Sequence, residues 1–380
     1  MKLYHRLSAL SIVFENLHYM LLFLIFRSDI IALQKAKERK MIIYINRSTD
    51  PYFNMATEEF LLRKAQEPTV MLWRNEPAVI IGKNQNAGEN VSFDFTRANG
   101  IKVVRRLTGG GAVFHDLGNV NYTFIMPESD APDSFSEFSE PVIRAIRGLS
   151  INAEASGRND LLAEGKKFSG TARCGYKRDD GSTVIMHHGT LLFSADMSRL
   201  SGALITDPEK VKSKGIKSTA ARVINLCELL PDDRKDMTAE GFMKYLERFF
   251  VDAEGATERE FSEADKAEIQ KLSEEKYSTE KWLLRAGADD FDTEKKRRFD
   301  FGTVKIRLRC RAGEVGMPAV IEKVRIEGDF IGDCDISGLE DALCGKYFEK
   351  NAVFSLLEES DVVKYVRGAD ATALATLIFE

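Results

Sequence analysis

The 380-residue chain is poor in the features that would set it apart from ordinary globular proteins. Its five cysteines, Cys174, Cys227, Cys310, Cys334 and Cys344, are odd in number and form no Cys-x-x-Cys pair. That argues against a disulfide framework and a structural zinc site, and it fits a reducing compartment. Long hydrophobic runs are lacking too: the most apolar stretch, Tyr19 to Phe26, is far too short to span a bilayer. Concentrated positive charge is also missing. The formal net charge is −5 with the two signs mixed along the chain, which excludes broad nucleic-acid binding while leaving room for one local basic groove. We find no internal repeat and no low-complexity tract. What is present, 44% apolar and 30% charged residues, is the mixture of a chain able to bury a sizeable core in one large domain or two unequal ones.

Residues 1–40 stand apart. Lys2, His5 and Arg6 resemble the basic start of a signal peptide, but no small-residue cleavage site follows cleanly. Met41 then opens a well-formed strand, Met-Ile-Ile-Tyr-Ile-Asn. We therefore read residues 1–40 as an N-terminal extension outside the core, with an amphipathic membrane-surface anchor as the rival reading. Beyond it, short strands alternate with a few helices, which predicts a mixed sheet with helices packed on it, an α+β fold. Ile42 to Asn46 reads as a strand, and Asp50-Pro51 opens a helix with Asp as cap and Pro at the first position. Strands are expected over Thr69 to Arg74, Ala78 to Gly82, Ile101 to Arg105, Val120 to Met126, Phe168 to Arg173 and Thr190 to Phe193. Leu161 to Ala163 and Lys166 to Ser169 flank Glu164-Gly165, a hairpin turn. Helices are expected over Phe135 to Arg147, Thr238 to Val251 and Ser262 to Glu275. The catalytic part is expected to run over 41–290, with a boundary in the charged stretch Asp289 to Arg298. A small α+β domain then covers 296–380, with strands near Gly302 to Cys310 and Ala319 to Glu327 and a helix in which Ser337 and Glu340 form a capping box and Gly345 the stop.

Four segments carry polar chemistry. In Arg105-Arg106-Leu107-Thr108-Gly109-Gly110-Gly111-Ala112-Val113-Phe114-His115-Asp116, consecutive glycines let backbone approach a ligand and expose amide N–H groups as an anion-binding nest. The two arginines supply charge-assisted donors for phosphate or carboxylate. This is neither a Walker A loop nor a Rossmann fingerprint, and the bland alternative is a flexible turn between strands. In Gly157-Arg158-Asn159-Asp160 followed by Gly165-Lys166-Lys167-Phe168-Ser169-Gly170-Thr171-Ala172, adjacent lysines on a strand face opposite sides. One can enter a site, or both can be solvated. His187-His188 is poor chelating geometry on a strand and reads as structural. Val79 to Gly82 could line a tunnel for an aliphatic chain or simply pack in the core, and Asn84 to Asn86 could be turn residues only.

These segments, in this order, resemble the lipoate–protein ligase A family. The likeness runs from about Met41 to Asn225, including Lys217-Ser218 and Arg222 to Leu226, and more weakly through Gly328-Asp329-Phe330 and Leu339-Glu340 to Gly345. The resemblance implies the mixed-sheet catalytic domain shared with biotin–protein ligases and octanoyltransferases, with a small C-terminal α+β accessory domain. It implies ATP-dependent conversion of lipoic acid to lipoyl-AMP and transfer to a lysine of lipoyl domains, those of 2-oxoacid dehydrogenase complexes and the glycine-cleavage H protein, in the cytoplasm, with Mg2+ as the expected metal and its ligands open. Arg106, Gly111, Ala112, Val113 and Phe114 would contact ATP. Lys167 would be the catalytic lysine, touching both nucleotide and lipoate. Arg105, Gly109, Gly110, Asn121 and Asp160 are further candidates for the site. No nucleic acid or membrane partner is expected. An octanoyl or lipoyl transferase on the same fold, which needs a cysteine nucleophile, and a nonenzymatic lipoate- or nucleotide-binding protein are the alternatives.

Overall fold

The computed structural model describes residues 40–156, 159–196, 198, 200–205, 223–285, 291–315 and 317–380. The N-terminal extension up to residue 39, Gly157, Arg158, Lys217, Ser218 and Arg222 lie outside the described residues.

Strand β1 (Ile42–Ile45) leads into helix α1 (Pro51–Lys64). The Asp50 carboxylate accepts the Tyr52 and Phe53 N–H groups, and Pro51 occupies a position where no N–H is needed. Strands β2 (Thr69–Trp73), β3 (Ala78–Ile81), β4 (Lys102–Arg105), β5 (Val113–His115) and β6 (Asn119–Pro127) follow, then α2 (Phe135–Arg147), which continues as one helix through Pro141. Next comes an antiparallel ribbon of β7 (Ala153–Ala155), β8 (Asp160–Ala163), β9 (Lys166–Lys177) and β10 (Thr183–Leu192). The β8–β9 turn has Glu164 and Gly165 at φ 49° and 72°, as a two-residue hairpin requires. Helix α3 (Ala239–Asp252), β11 (Thr257–Glu258), α4 (Glu263–Leu272), a π-helical turn at Ser273–Tyr277 and α5 (Glu280–Leu284) complete this part.

The strands make an eight-stranded mixed sheet in the order β11-β1-β2-β6-β10-β9-β8-β7 and a three-stranded sheet β4-β3-β5. Only β11, β1 and β2 run parallel in the large sheet. One face packs on α2 and α3 through Phe138, Val142, Ile146, Phe242, Leu246 and Phe250. The other carries α1 and the small sheet through Met55, Phe60, Met71, Trp73, Ile80 and Met186. The functional site lies on this second side, where the two sheets meet.

The C-terminal domain is a meander, β12 (Thr293–Phe299), β13 (Gly302–Arg311) and β14 (Val320–Gly328), covered by α6 (Ser337–Leu343), α7 (Lys350–Glu359) and α8 (Ala371–Phe379). Strand β12 starts within the stretch expected to be a boundary. The capping box expected from Ser337 and Glu340 does not form. Ser337 is already helical, and the Glu340 carboxylate instead accepts the buried Ile326 N–H at 2.7 Å, a tertiary donor brought in by β14. The domain docks on the first through Gly328 N–H to Asn84 O, Gly175 N–H to Asp333 O, Arg173 to Asp333 and Lys83 to Asp335. Among the described residues, no helix is long and apolar enough to cross a membrane.

Candidate active site

Between the sheets lies a cavity of about 190 Å³. One wall is the glycine turn, Gly110 to Val113 with Arg106. The opposite wall is β9, with Lys167 and Gly170 to Ala172. Trp73, His115, Asn121 and His188 to Thr190 close the base, and Met55 and Ile80 make part of the lining apolar. The glycine turn and the strand lysine, 56 positions apart from Gly111 to Lys167, therefore share one cavity.

The three glycines do different things. A Cβ on Gly109 would lie 2.4 Å from the Phe330 carbonyl oxygen, so this residue admits the small domain. Gly110 has φ +91° and donates its N–H to that same oxygen at 2.8 Å. A Cβ on Gly111 would meet no atom within 4 Å: protein packing does not require glycine there, and the space beside it stays open.

Arg105 departs from the expectation that its fork faces a ligand, while Arg106 lines the cavity but gives four of its five N–H donors to protein oxygens. Arg106 is buried, and its donors go to Thr108 Oγ1, Ile80 O, Gly109 O and Gly111 O, so it shapes the turn from inside. Arg105 leaves the strand on the other side and reaches five carbonyls, Trp282, Leu283, Gly82, Lys83 and Gln85. It does not line the cavity. The reason is burial: an arginine with no water must find acceptors, and the nearest are backbone oxygens of tight turns and a helix end. Burial lowers Arg105 to about 9, with Arg285 adding to it, and lowers Arg106 to about 10, so both stay cationic at neutral pH.

Lys167 is aimed by an irregularity in its strand. In the β8–β9 pairing, Leu161 faces Ser169 but Leu162 faces Lys167, which leaves Phe168 as the extra residue of a bulge. Phe168 turns into the core, Lys166 into solvent and Lys167 into the cavity. Its Nζ sits 2.6 Å from Asp160 Oδ1, and a Cβ on Gly170 would lie 3.0 Å from that Nζ, so the glycine clears the ammonium's place. Asn121 lies at the base and accepts from Asn119 Nδ2 at 2.8 Å. Of the candidates, Arg106, Gly110, Gly111, Ala112, Val113, Asn121 and Lys167 line the cavity. Asp160 reaches it through Lys167, whereas Gly109, Phe114 and Arg105 stand behind the wall.

Two histidines line the cavity that the sequence reading gave no role in binding, His115 without any role and His188 read as structural. His115, in the motif but assigned nothing there, lines the cavity with its Nδ1 accepting from Asn75 Nδ2 at 3.0 Å. Asn75 Oδ1 accepts in turn from Asn54 Nδ2, and Asn54 Oδ1 from Asn46 Nδ2. This directed chain puts the His115 proton on Nε2, which has no partner among the described residues. Burial, then the electrostatic influence of Arg106 and His188, lowers His115 to about 3, so the ring beside the cavity is neutral at neutral pH. His188 also lines the cavity. Its Nδ1 bonds Glu58 Oε1 and its Nε2 bonds Thr108 Oγ1, each at 2.7 Å. His187 lies on the other face, stacked on Phe138 at 4.8 Å, as alternation requires. Trp73 holds Thr123 through its indole N–H at 2.9 Å, and Thr123 donates to Glu58. Asn-rich turns and a helix glutamate carry no local mark of these partnerships.

Among the described residues no cysteine lines the cavity, and no three His, Cys, Asp or Glu side chains gather as a metal cluster. Cys174, the cysteine that follows Lys167 on β9, is buried, and desolvation pushes its thiol up to about 12.

Comparison with known proteins identifies the family. Residues 50–251 match the family model described as lipoyl protein ligase A/B catalytic domain, and 288–378 match that of the bacterial lipoate protein ligase C-terminus. Lipoate-protein ligase LplJ of Bacillus subtilis is 36% identical over 322 residues, 83% of this chain and 93% of its own. Lipoate–protein ligase 1 of Staphylococcus aureus is 35% identical over 337 residues, 88% and 98% of the two chains. Among solved structures, P. falciparum LipL1 in complex with lipoate superposes with a TM-score of 0.68 at 25% identity, covering 84% of this chain and 94% of that one. A lipoate-protein ligase A bound with ATP gives a TM-score of 0.52 at 26% identity over 65% and 98%.

Proposed function

The chain belongs to the lipoate–protein ligase family, and from that premise we propose that it joins lipoate to a lysine of lipoyl domains by way of lipoyl-AMP. In the first step a lipoate carboxylate oxygen attacks the α-phosphorus of ATP; the bond to pyrophosphate breaks and the mixed anhydride forms. In the second, the ε-amine of the acceptor lysine attacks the acyl carbonyl and AMP leaves. The observation that carries this reading is the single cavity with an open glycine, Gly111, on one side and an inward ammonium, Lys167, on the other.

The apolar lining at Met55, Ile80, Trp73 and Val113 suits the acyl chain. At about 190 Å³ the cavity falls below the ~300–1,000 Å³ usual for ligand pockets, so the nucleotide would extend along the rim over Gly111 to Phe114. Lys167 would stabilise charge on the α-phosphate as the anhydride forms and on the departing AMP. Among the described residues, Asp160 brings a carboxylate to the cavity through Lys167. That suits Mg2+, which binds through one or two carboxylates plus substrate phosphates, so Asp160 and Asn121 would hold the ion, whose chemistry is to neutralise the phosphates. A structure described as that of an archaeal lipoylation system, a bipartite lipoate protein ligase and its E2 lipoyl domain from Thermoplasma acidophilum, is similar at TM-score 0.55 and 28% identity over 67% of this chain and 98% of that one, and supports a lipoyl domain as acceptor. An acyl-enzyme route finds no support, because burial keeps Cys174 protonated.

The test is lipoate-dependent ATP–pyrophosphate exchange, followed by mass spectrometry of a lipoyl domain incubated with enzyme, ATP and lipoate. We expect exchange, a lipoyl mass increment on the domain, and loss of most exchange in Lys167→Ala. Exchange without lipoate, or full turnover by the variant, would refute the assignment.

A further inference from the structure

Arg105 is fully buried, cationic, and hydrogen-bonded to five backbone carbonyls, none of them on its own strand. Three, Gly82, Lys83 and Gln85, belong to the turn after β3. That turn also meets the small domain, through Lys83 to Asp335 and Asn84 O to Gly328 N–H. The other two, Trp282 and Leu283, are C-terminal carbonyls of α5, the last of the described helices before the small domain, and a cation suits the negative end of a helix. The link is reciprocal: the Trp282 indole N–H donates to the Arg105 carbonyl at 2.9 Å. Trp282 is itself held from behind, with Lys276 Nζ 4.1 Å from its ring and bonded to buried Glu59. The next residue, Arg106, leaves on the opposite side and ties together Gly109 O and Gly111 O on the cavity wall. One dipeptide thus fastens the glycine turn both to its own loop and to the helix that leads into the small domain.

We propose that Arg105 is a positioning residue for nucleotide activation, fixing the base of the glycine turn to α5 and to the turn after β3 without touching substrate. The proposal rests on the reading of the cavity given above. Its physical content is that Gly111 and Ala112 lie outside any strand, between the carbonyls held by Arg106 and the start of β5, and keep their aim only if the chain entering the turn is held. Met55 and Ile80 give that wall apolar support but no fixed direction. A guanidinium with five acceptors spread over two other segments supplies it.

The experiment compares Arg105→Met, Arg105→Lys and Trp282→Phe with the wild-type chain in two assays: lipoate-dependent ATP–pyrophosphate exchange, and transfer to a lipoyl domain from chemically prepared lipoyl-AMP. We expect Arg105→Met to raise the apparent KM for ATP by on the order of tenfold, the size of one lost charge-assisted hydrogen bond, while transfer from supplied adenylate changes little. Arg105→Lys should fall between, because it keeps the charge but not the planar fork. Trp282→Phe, which removes only the indole bond, should move the ATP KM the same way by less. A wild-type KM in Arg105→Met overturns the proposal, as does a loss equal in both assays that follows the folded fraction. Where Arg105→Met does not fold, wild-type ATP KM values in the other two variants overturn it. Absence of exchange in the wild-type chain is a different result, and sinks the reading of the site rather than the role of Arg105.

Discussion

Alanine placed at Gly109 and at Gly111, two residues apart in one turn, should give opposite phenotypes. At Gly109 the new methyl would stand 2.4 Å from Phe330 O, 3.1 Å from Ile331 Cα and 3.3 Å from Phe330 C. These are backbone atoms of the small domain, so relief requires the segment to move by about an ångström, and the Gly110 N–H to Phe330 O bond of 2.8 Å stretches with it. Overpacking of this kind costs about 1–3 kcal/mol. For a domain of 150–250 residues that is about 2–4 °C in Tm per kcal/mol, so Gly109→Ala should lower the midpoint by several degrees. At Gly111 the methyl meets nothing within 4 Å and the backbone is not in the left-handed region, so the fold should keep its wild-type midpoint. The methyl would instead occupy the space proposed for nucleotide. A rise in the ATP KM on the order of tenfold, about 1.4 kcal/mol, is expected in pyrophosphate exchange. Thermal unfolding and exchange on both variants decide it. Equal destabilisation by the two alanines, or an unchanged ATP KM in Gly111→Ala, would refute the division of labour within the turn.

Stability should fall on the acid side for a specific reason. Burial, then neighbouring positive charge, lowers His115 to about 3, and burial holds His187 well below its ordinary value. Unfolded, both rings take a proton near pH ~6.5; folded, they refuse it. Their contribution is therefore fully present above about pH 6.5 and is lost as the pH falls toward 3, by up to about 1.4 kcal/mol per unit for each ring. The urea midpoint of His187→Phe should depend less steeply on pH than that of the wild type between about pH 6.5 and 4; an equal slope speaks against this cause. Glu89 reaches across to Lys305 and Arg307 of the small domain, at 2.6 and 2.8 Å. Since Glu89 is partly exposed, Glu89→Gln should weaken docking by only about 1 kcal/mol and less in high salt; a salt-independent effect on Tm would contradict an ion-pair origin. Asp160 and Lys167 are each more than a third exposed, so Asp160→Asn should leave the fold intact within about 1 kcal/mol while raising the KM for ATP. A large drop in Tm without a kinetic change would show the pair to be structural.

The parts of the molecule that follow from neighbouring residues were legible in the chain itself. Asp50-Pro51 starts α1, Glu164-Gly165 turns the hairpin, and the alternation of Val120 to Met126 makes β6 a strand, because caps, turns and pleats are set within a few positions. The same locality explains why the glycine run and Lys167 could be picked out by type and spacing, and why His187 and His188 had to part to opposite faces. Tertiary structure alone decided where the buried charges went. Ser337-x-x-Glu340 has the form of a capping box, yet a donor fourteen residues back, Ile326 N–H, takes the carboxylate. Arg105 and Arg106 look like a phosphate pair, yet they become the frame of the turn, since a guanidinium shut away from water binds whichever oxygens the fold brings to it. Glu58 meets His188 across 130 positions and Asn75 meets His115 across 40. Such partners share no periodicity that a single strand or helix could display, so their chemistry exists only once two sheets have closed over the cavity between them.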